Sequence, residues 1–182
     1  MRVISGALKG RKLASFRGRH IRPTADRVRE AVFNILNLPW EAKEVLDLFA
    51  GTGGLGIEAL SRGASRVVFV EQHPRALEVL EKNLGMLGLS DSCAILRAGV
   101  EEGVRLLQRR RHTFDLAFLD PPYGRGLADS ALHLLSRSAI MRGGGVIVAE
   151  HHIREQLSNS CGLITLSDRR RYGETVISFY SA

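Results

Sequence analysis

The chain has 182 residues, 45% hydrophobic and 25% charged, which suits one globular domain with a sizeable core. No apolar run approaches the roughly 20 residues of a membrane span, no secretory signal is expected, and Cys93 and Cys161 supply neither a disulfide framework nor a CxxC metal pair. These features exclude membrane-spanning, disulfide-stapled and zinc-ribbon classes and lead us to expect a cytoplasmic protein.

The net charge of +7 is unevenly placed. Residues 1–30 hold nine Lys/Arg (Arg2, Lys9, Arg11, Lys12, Arg17, Arg19, Arg22, Arg27 and Arg29) against Asp26 and Glu30, so this stretch carries the whole excess. A basic arm on a neutral body is the electrostatic footprint of a polyanion partner. The plain alternative is a solvated tail. The arm is not low in complexity: "RVISGALKGRKLASF" sets Val3, Ile4, Leu8, Leu13 and Phe16 around Gly6 and Gly10, which predicts a short hairpin with basic residues projecting. Next, "RPTADRVREAVFNILNL" predicts a helix. Thr24 can cap its start, Val28, Val32, Ile35 and Leu36 form an apolar stripe, and Arg22, Asp26, Arg27 and Arg29 cluster at its N-terminal end.

From residue 44 strands and helices alternate. "EVLDLF" is a strand, followed by a Gly-rich turn and the helix "LGIEALSRG"; "RVVFVE" leads to the helix "PRALEVLEKNLGML". "CAILRA" leads to "VEEGVRLLQRRR", "FDLAFLD" to "LADSALHLLSRS", and "GGVIVAEH" is a fifth strand. The strands are continuous apolar runs, which implies burial on both faces. Strict βα alternation with short connections predicts a doubly wound parallel sheet. In "GLITLSDRRRYGETVISFYSA" two strand-like runs flank "RRYGE" with no room for a crossover helix, so they should pair as an antiparallel hairpin at the sheet edge. His151 and His152 are expected as loop or rim residues after the fifth strand, and no histidine spacing suggests a metal site.

The first strand ends in Asp47, then "FAGTGGLG" places Gly51, Gly53 and Gly56 as G-x-G-x-x-G opening a helix, with Glu71 at the end of the second strand. This matches a dinucleotide fingerprint with its ribose-binding acid. Asp47 argues against that reading, because a carboxylate beside a helix N-terminus repels a pyrophosphate. It suits a ligand that carries an ammonium as well as a carboxylate. S-adenosylmethionine (SAM) is such a ligand: Glu71 would hold its ribose hydroxyls, the loop with Asp47 its methionine end, and an acidic pocket would favour its sulfonium. Phe49 belongs to the same pocket. At the third strand end Gly99 and Val100 offer backbone atoms to the adenine. The plainer roles are a strand-end cap for Asp47 and a surface acid for Glu71.

The fourth strand ends in Asp120-Pro121-Pro122-Tyr123. An exocyclic amine on an aromatic base is a poor nucleophile, since its lone pair is delocalised into the ring. Asp120 and the Pro121 carbonyl can each accept one N–H and favour the pyramidal nitrogen. The prolines preorganise these acceptors, and Tyr123 gives a face on which the base stacks. The sulfonium already activates the methyl group, so no metal is needed. The plain alternative is a stiff turn with Tyr123 at its rim.

With "RPTADRVREAVFNIL", "LDLFAGTGGLGIEALSRGA", "LDPPY" and "YGET", the chain resembles the bacterial 16S ribosomal RNA guanine-N2 methyltransferase family, SAM-dependent amino methyltransferases that modify one small-subunit guanine. The resemblance implies a Rossmann-like α/β fold with a seven-stranded, mostly parallel sheet and an antiparallel last strand. Residues 1–40 would form a basic hairpin-and-helix extension and 41–182 the methyltransferase domain. It also implies SAM binding by Asp47, Gly51, Gly53 and Glu71, and the hold on the guanine amino group by Asp120 to Tyr123. Gly99 departs from the acid or amide common at that position. RNA contacts are expected from Lys9, Arg11, Lys12, Arg22, Arg27 and Arg29, and from Arg170 and Arg171 in the terminal hairpin. The expected partner is ribosomal RNA or the small ribosomal subunit, not a membrane, with the protein acting as a monomer. Adenine-N6 methylation of DNA or RNA and a non-catalytic RNA-binding assembly role are the alternatives. The short extension leaves no separate duplex-reading region, which favours structured RNA.

Overall fold

Each apolar run from residue 44 onward becomes a strand of one sheet. The structure, a computed structural model, describes residues 1–15, 23–36 and 38–182. Strands β1 (Glu44–Asp47), β2 (Arg66–Glu71), β3 (Cys93–Arg97), β4 (Phe114–Leu119) and β5 (Met141–His152) are parallel. Helix α1 (Pro23–Leu36) precedes them, and α2 (Gly54–Ser61), α3 (Pro74–Leu87), α4 (Val100–Arg109) and α5 (Leu127–Ser138) lie between them. After β5 come β6 (Ser160–Cys161), β7 (Ile164–Tyr172) and β8 (Thr175–Ser181), in the spatial order β3-β2-β1-β4-β5-β8-β7-β6. The chain thus adopts the doubly wound, Rossmann-like arrangement with β8 returning antiparallel between β5 and β7. The two-residue β6 adds an eighth strand at the edge to the seven expected.

Alternation along the strands divides the core. Val45, Phe69, Phe118 and Val148 face α1, α2 and α3, whereas Leu46, Val70, Leu119 and Ala149 face α4 and α5. Fully burying one large apolar side chain contributes about 1.5–3 kcal/mol, so strands covered on both sides are apolar at nearly every position.

Three local expectations differ. Ile35 is exposed, and Phe33 is buried instead, against Trp40 at 5.4 Å and Phe118 at 5.5 Å between ring centroids. Each i+4 step along Val28, Val32 and Leu36 advances about 40° around the helix, so the buried arc drifts away from Ile35. Helix α1 starts at Pro23, which puts Thr24 inside the first turn and not ahead of it. His151 and His152 are strand residues; His151 is buried with Nε2 3.0 Å from Ser178 Oγ, because pairing with β8 carries β5 through His152.

The basic arm forms a narrow hairpin with Arg2 bridged to Lys12. It is fastened by α2: the buried Glu58 carboxylate accepts the Ile4 and Ser5 N–H groups at 2.8 and 3.0 Å, and Ser61 Oγ accepts the Leu8 N–H at 3.0 Å. Gly6 has φ +82°, and a Cβ there would fall 1.8 Å from Ser61 O, so only glycine lets the arm approach so closely. Buried Asn83 of α3 donates to the carbonyls of Ala14 and Thr52, tying the arm to the glycine loop.

Candidate active site

Strand order reverses between β1 and β4, the place where open α/β sheets bind ligands. Asp47 pairs in register with Phe69 of β2 and Phe118 of β4, so Glu71 and Asp120 each stand two residues beyond it on the flanking strands. Leu119 pairs with Ala149, which brings Glu150 level with Asp120. Alternation puts Glu71, Asp47, Asp120 and Glu150 on the face covered by α1, α2 and α3. Four acids therefore form a row across four adjacent strand ends. Sequence reasoning missed Glu150; the signal was there in "VAEHH", an acid ending an apolar run as Asp47, Glu71 and Asp120 do.

The β1–β2 half of the row is built into the backbone. Gly56 N–H donates to Asp47 Oδ2 at 3.1 Å, so Asp47 does cap α2; its other oxygen, Oδ1, is buried with no hydrogen-bond partner among the described residues. Burial, opposed by the Gly56 amide, raises the Asp47 carboxyl to about 7, and Glu71 adds repulsion. Glu71 accepts N–H groups from Gly51, Gln72 and His73, each at 2.8 Å, which moulds the loop around it. Gly51 (φ +54°) and Gly53 (φ +87°) turn the loop, and a Cβ on Gly53 would strike Leu80 Cδ1 at 2.5 Å. A Cβ on Gly56 would lie 2.2 Å from the Phe69 ring, so this third glycine lets α2 press onto β2. Phe49 is half-buried against the α4–α5 side of the core. Gly99 and Val100 open α4, and Gln72 Oε1 sits 3.2 Å from where a Gly99 Cβ would be. The Gln72 carboxamide thus stands in the room that Gly99 leaves.

The β4–β5 half is open. Asp120 is exposed, and its carboxylate has no hydrogen-bond donor among the described residues. The surrounding protein, then Glu150 and Asp47, push its pKa well above the usual carboxylate range, an effect that water in the opening partly offsets. Pro121 is buried and Tyr123 is 39% exposed. The Tyr123 hydroxyl donates to Glu150 Oε1 and lies 3.2 Å from Thr175 Oγ1, and its ring centroid is 5.8 Å from that of His152. Burial and the bond to Glu150 push the Tyr123 phenol upward, so it stays a donor. Gly124 N–H donates to Glu155 Oε1 at 3.1 Å, closing the turn. Thr175 belongs to the "YGET" stretch, whose place beside the Asp120–Tyr123 corner follows from β8 inserting next to β5.

A row of strand-end acids around a glycine loop and a D-P-P-Y corner is what the known relatives allow us to interpret. The family described as conserved hypothetical protein 95 matches residues 1–181. The ribosomal RNA small subunit methyltransferase D of Haemophilus influenzae is 38% identical over 151 residues, covering 82% of this chain and 78% of that protein. The chain belongs to the ribosomal RNA small subunit methyltransferase D family. A Bacillus subtilis protein named as a candidate rRNA methyltransferase, YlbH, is 37% identical over 180 residues, 99% of this chain and 98% of its own. Among solved structures, the candidate methyltransferase yhhF of Escherichia coli matches with a TM-score of 0.86 and 30% identity, over 100% of this chain and 97% of that one.

In this methyltransferase D family member the basic residues expected to meet RNA fall into distinct settings. Lys9 and Lys12 are exposed, and Arg11 is exposed with Nη2 donating to Met86 O at 3.1 Å. Arg27 is exposed and shares a groove of about 320 Å³ with Arg2 and Lys9. Arg29 is a correction: it is 7% exposed and its Nη2 donates to Arg2 O at 2.7 Å, so it fastens the arm and presents no RNA-facing surface. Arg22 lies outside the described residues. Strand alternation sends Arg170 and Arg171 to opposite faces of the sheet, Arg170 paired with Asp168 at 2.8 Å. No helix among the described residues is long and apolar enough to cross a membrane.

Proposed function

We propose that this protein transfers a methyl group from S-adenosylmethionine to the exocyclic N2 of a guanine in small-subunit ribosomal RNA. The observation that carries the reading is the four-acid row at the switch point, fixed on one side and open on the other, with Asp120-Pro121-Pro122-Tyr123 at the open side. Family membership favours ribosomal RNA as the substrate class.

The residues present fit the donor. The buried, unpartnered Oδ1 of Asp47 is suited to an ammonium, the Gly51–Gly53 loop offers backbone atoms without side chains in the way, and Glu71 has lone pairs left for ribose hydroxyls. Gln72 offers its carboxamide to the adenine in place of the side chain Gly99 lacks. When bound, SAM supplies a methyl carbon activated by the neighbouring sulfonium.

The chain's own residues do the rest. Asp120 and the Pro121 carbonyl each accept one N–H of the guanine amino group, which orients the nitrogen and favours its pyramidal form. Pro121 and Pro122 hold the acceptors in place before the base arrives. Tyr123 stacks on the base, its hydroxyl anchored by Glu150 and Thr175. The nitrogen becomes cationic as the N–C bond forms and then sheds one proton. Asp120, with its pKa raised by the surrounding protein, Glu150 and Asp47, is suited to take it.

The test is to incubate the protein with methyl-labelled SAM and unmodified small ribosomal subunits, digest the RNA and identify the labelled nucleoside. N2-methylguanosine is expected. Labelled N6-methyladenosine, or no label in RNA, overturns the reading.

A further inference from the structure

The sheet carries a second basic surface, on the side away from the glycine loop. A groove of about 620 Å³ lies on one face of β5, β8 and β7, lined among others by His151, Glu155, Gln156, Asn159, Arg169 and Arg171. We propose that this groove binds the RNA strand flanking the target nucleotide, with Arg169 and Arg171 on its phosphates. The inference rests on the RNA-methylating function proposed above and adds a binding surface to it.

Position is the first argument. β7 is antiparallel to β8, and β8 to β5, so the C-terminal ends of β5 and β7 lie at the same edge as Asp120. Thr175 pairs with His152 on one side and Tyr172 on the other, and the same Thr175 meets Tyr123. Two strand spacings, about 10 Å, separate β5 from β7. Glu155 joins the groove to the catalytic turn directly, accepting the N–H of Gly124. The groove opens on the sheet face opposite Asp120 and Glu150, so a strand leaving a base stacked on Tyr123 enters it by crossing the strand-end edge where Glu155 meets Gly124.

The state of the charges is the second argument. Alternation puts Arg169 and Arg171 on the groove face, about 7 Å apart along the strand. Neither makes an ion pair among the described residues, whereas Arg62, Arg97, Arg105, Arg142 and Arg170 each hold a carboxylate. Both are oriented by neutral acceptors: Arg169 Nε donates to Ser178 Oγ at 3.0 Å, and Arg171 Nε donates to Gly173 O at 2.9 Å. Each guanidinium is thereby aimed while keeping its charge, the preorganised fork suited to phosphate. Glu155, the acid in the groove lining, is occupied by two N–H groups, from Gly124 and His152. His151 is held toward its neutral form, chiefly by burial, so the positive charge of the groove comes from the two arginines.

The test measures methyl transfer to small-subunit RNA across a potassium chloride series for wild type, Arg171→Ala and Arg169→Gln. Arg171→Ala and Arg169→Gln are each expected to raise KM for RNA by about threefold to tenfold and to reduce the salt slope by about one. Turnover at saturating RNA and SAM affinity should stay near wild type. Among the described residues Arg171 hydrogen-bonds to the Gly173 carbonyl alone, so its variant keeps the test valid if Arg169→Gln melts early. Wild-type KM and slope in Arg171→Ala overturn the groove assignment while leaving the RNA reading intact. A KM increase with no change in slope also overturns it, since that points to a protein contact in the particle. Absence of RNA methylation by wild type overturns both readings together.

Discussion

Asp47 and Glu71 at the ends of β1 and β2 have the same chemistry as Asp120 and Glu150 at the ends of β4 and β5, yet their surroundings are opposite. The first pair is spent on backbone N–H groups of the loop it supports, leaving one buried oxygen free. In the second pair Asp120 faces the opening with no hydrogen-bond donor among the described residues and Glu150 holds a phenol. A carboxylate locked by amides can shape and bind; one left unpaired beside a fixed aromatic ring can accept hydrogen bonds from a substrate. The division of labour comes from the partners supplied by the backbone, not from residue type.

Replacing the open acid should have the largest effect. Asp120→Ala is expected to lower kcat by about 100-fold or more, with SAM affinity little changed; calorimetry and single-turnover assays on the same preparation separate the two. If SAM binding fell in parallel, the two halves would not be independent. Glu71→Ala should do the reverse, raising the dissociation constant for SAM by roughly ten- to a hundredfold, as calorimetry would show, while kcat at saturation moves less.

Asp47 makes the contrast pH-dependent. Its carboxyl is raised to about 7, and only the ionised form attracts an ammonium. SAM affinity should therefore climb by up to about tenfold per pH unit toward pH 7 and level off above it. Folding has the opposite sign: a carboxyl whose folded pKa is raised stabilises the fold at acid pH, and that contribution is lost as pH rises through 7. Calorimetry from pH 5.5 to 8.5 (buffer values of about this span bracket the titration) should show the rise in wild type and not in Asp47→Asn.

The smallest effect is expected from Glu150→Gln. It keeps an acceptor for the Tyr123 hydroxyl but removes a charge that raises the Asp120 pKa. The alkaline-going limb of kcat against pH should move to lower pH, with a change of no more than a few fold at pH 8. An unmoved limb would separate Glu150 from the titration of Asp120.

Much of this site is legible along the chain because strand ends and glycine spacing are local. Asp47, Gly51, Gly53, Glu71 and the Asp120–Tyr123 corner can be placed from the βα alternation alone. Glu150 and Thr175 could not be assigned a partner, since their meeting with Tyr123 needs β8 to insert beside β5. The arm's basic residues read alike in sequence, but the fold buries Arg29 and leaves Arg27 exposed, a difference set by which side of α1 faces the core. The Gln72 side chain over Gly99 is likewise a contact between two loops that no spacing encodes.

By itself the sequence determined the α/β alternation, the glycine turn and the strand-end acids Asp47, Glu71 and Asp120, because these depend on backbone preference and on a periodicity confined to a few residues. Only the tertiary structure decided that those three acids share one face with Glu150 and that the arginines of β7 point two ways. Those facts depend on strand register, and register is set by pairing between segments far apart in the chain.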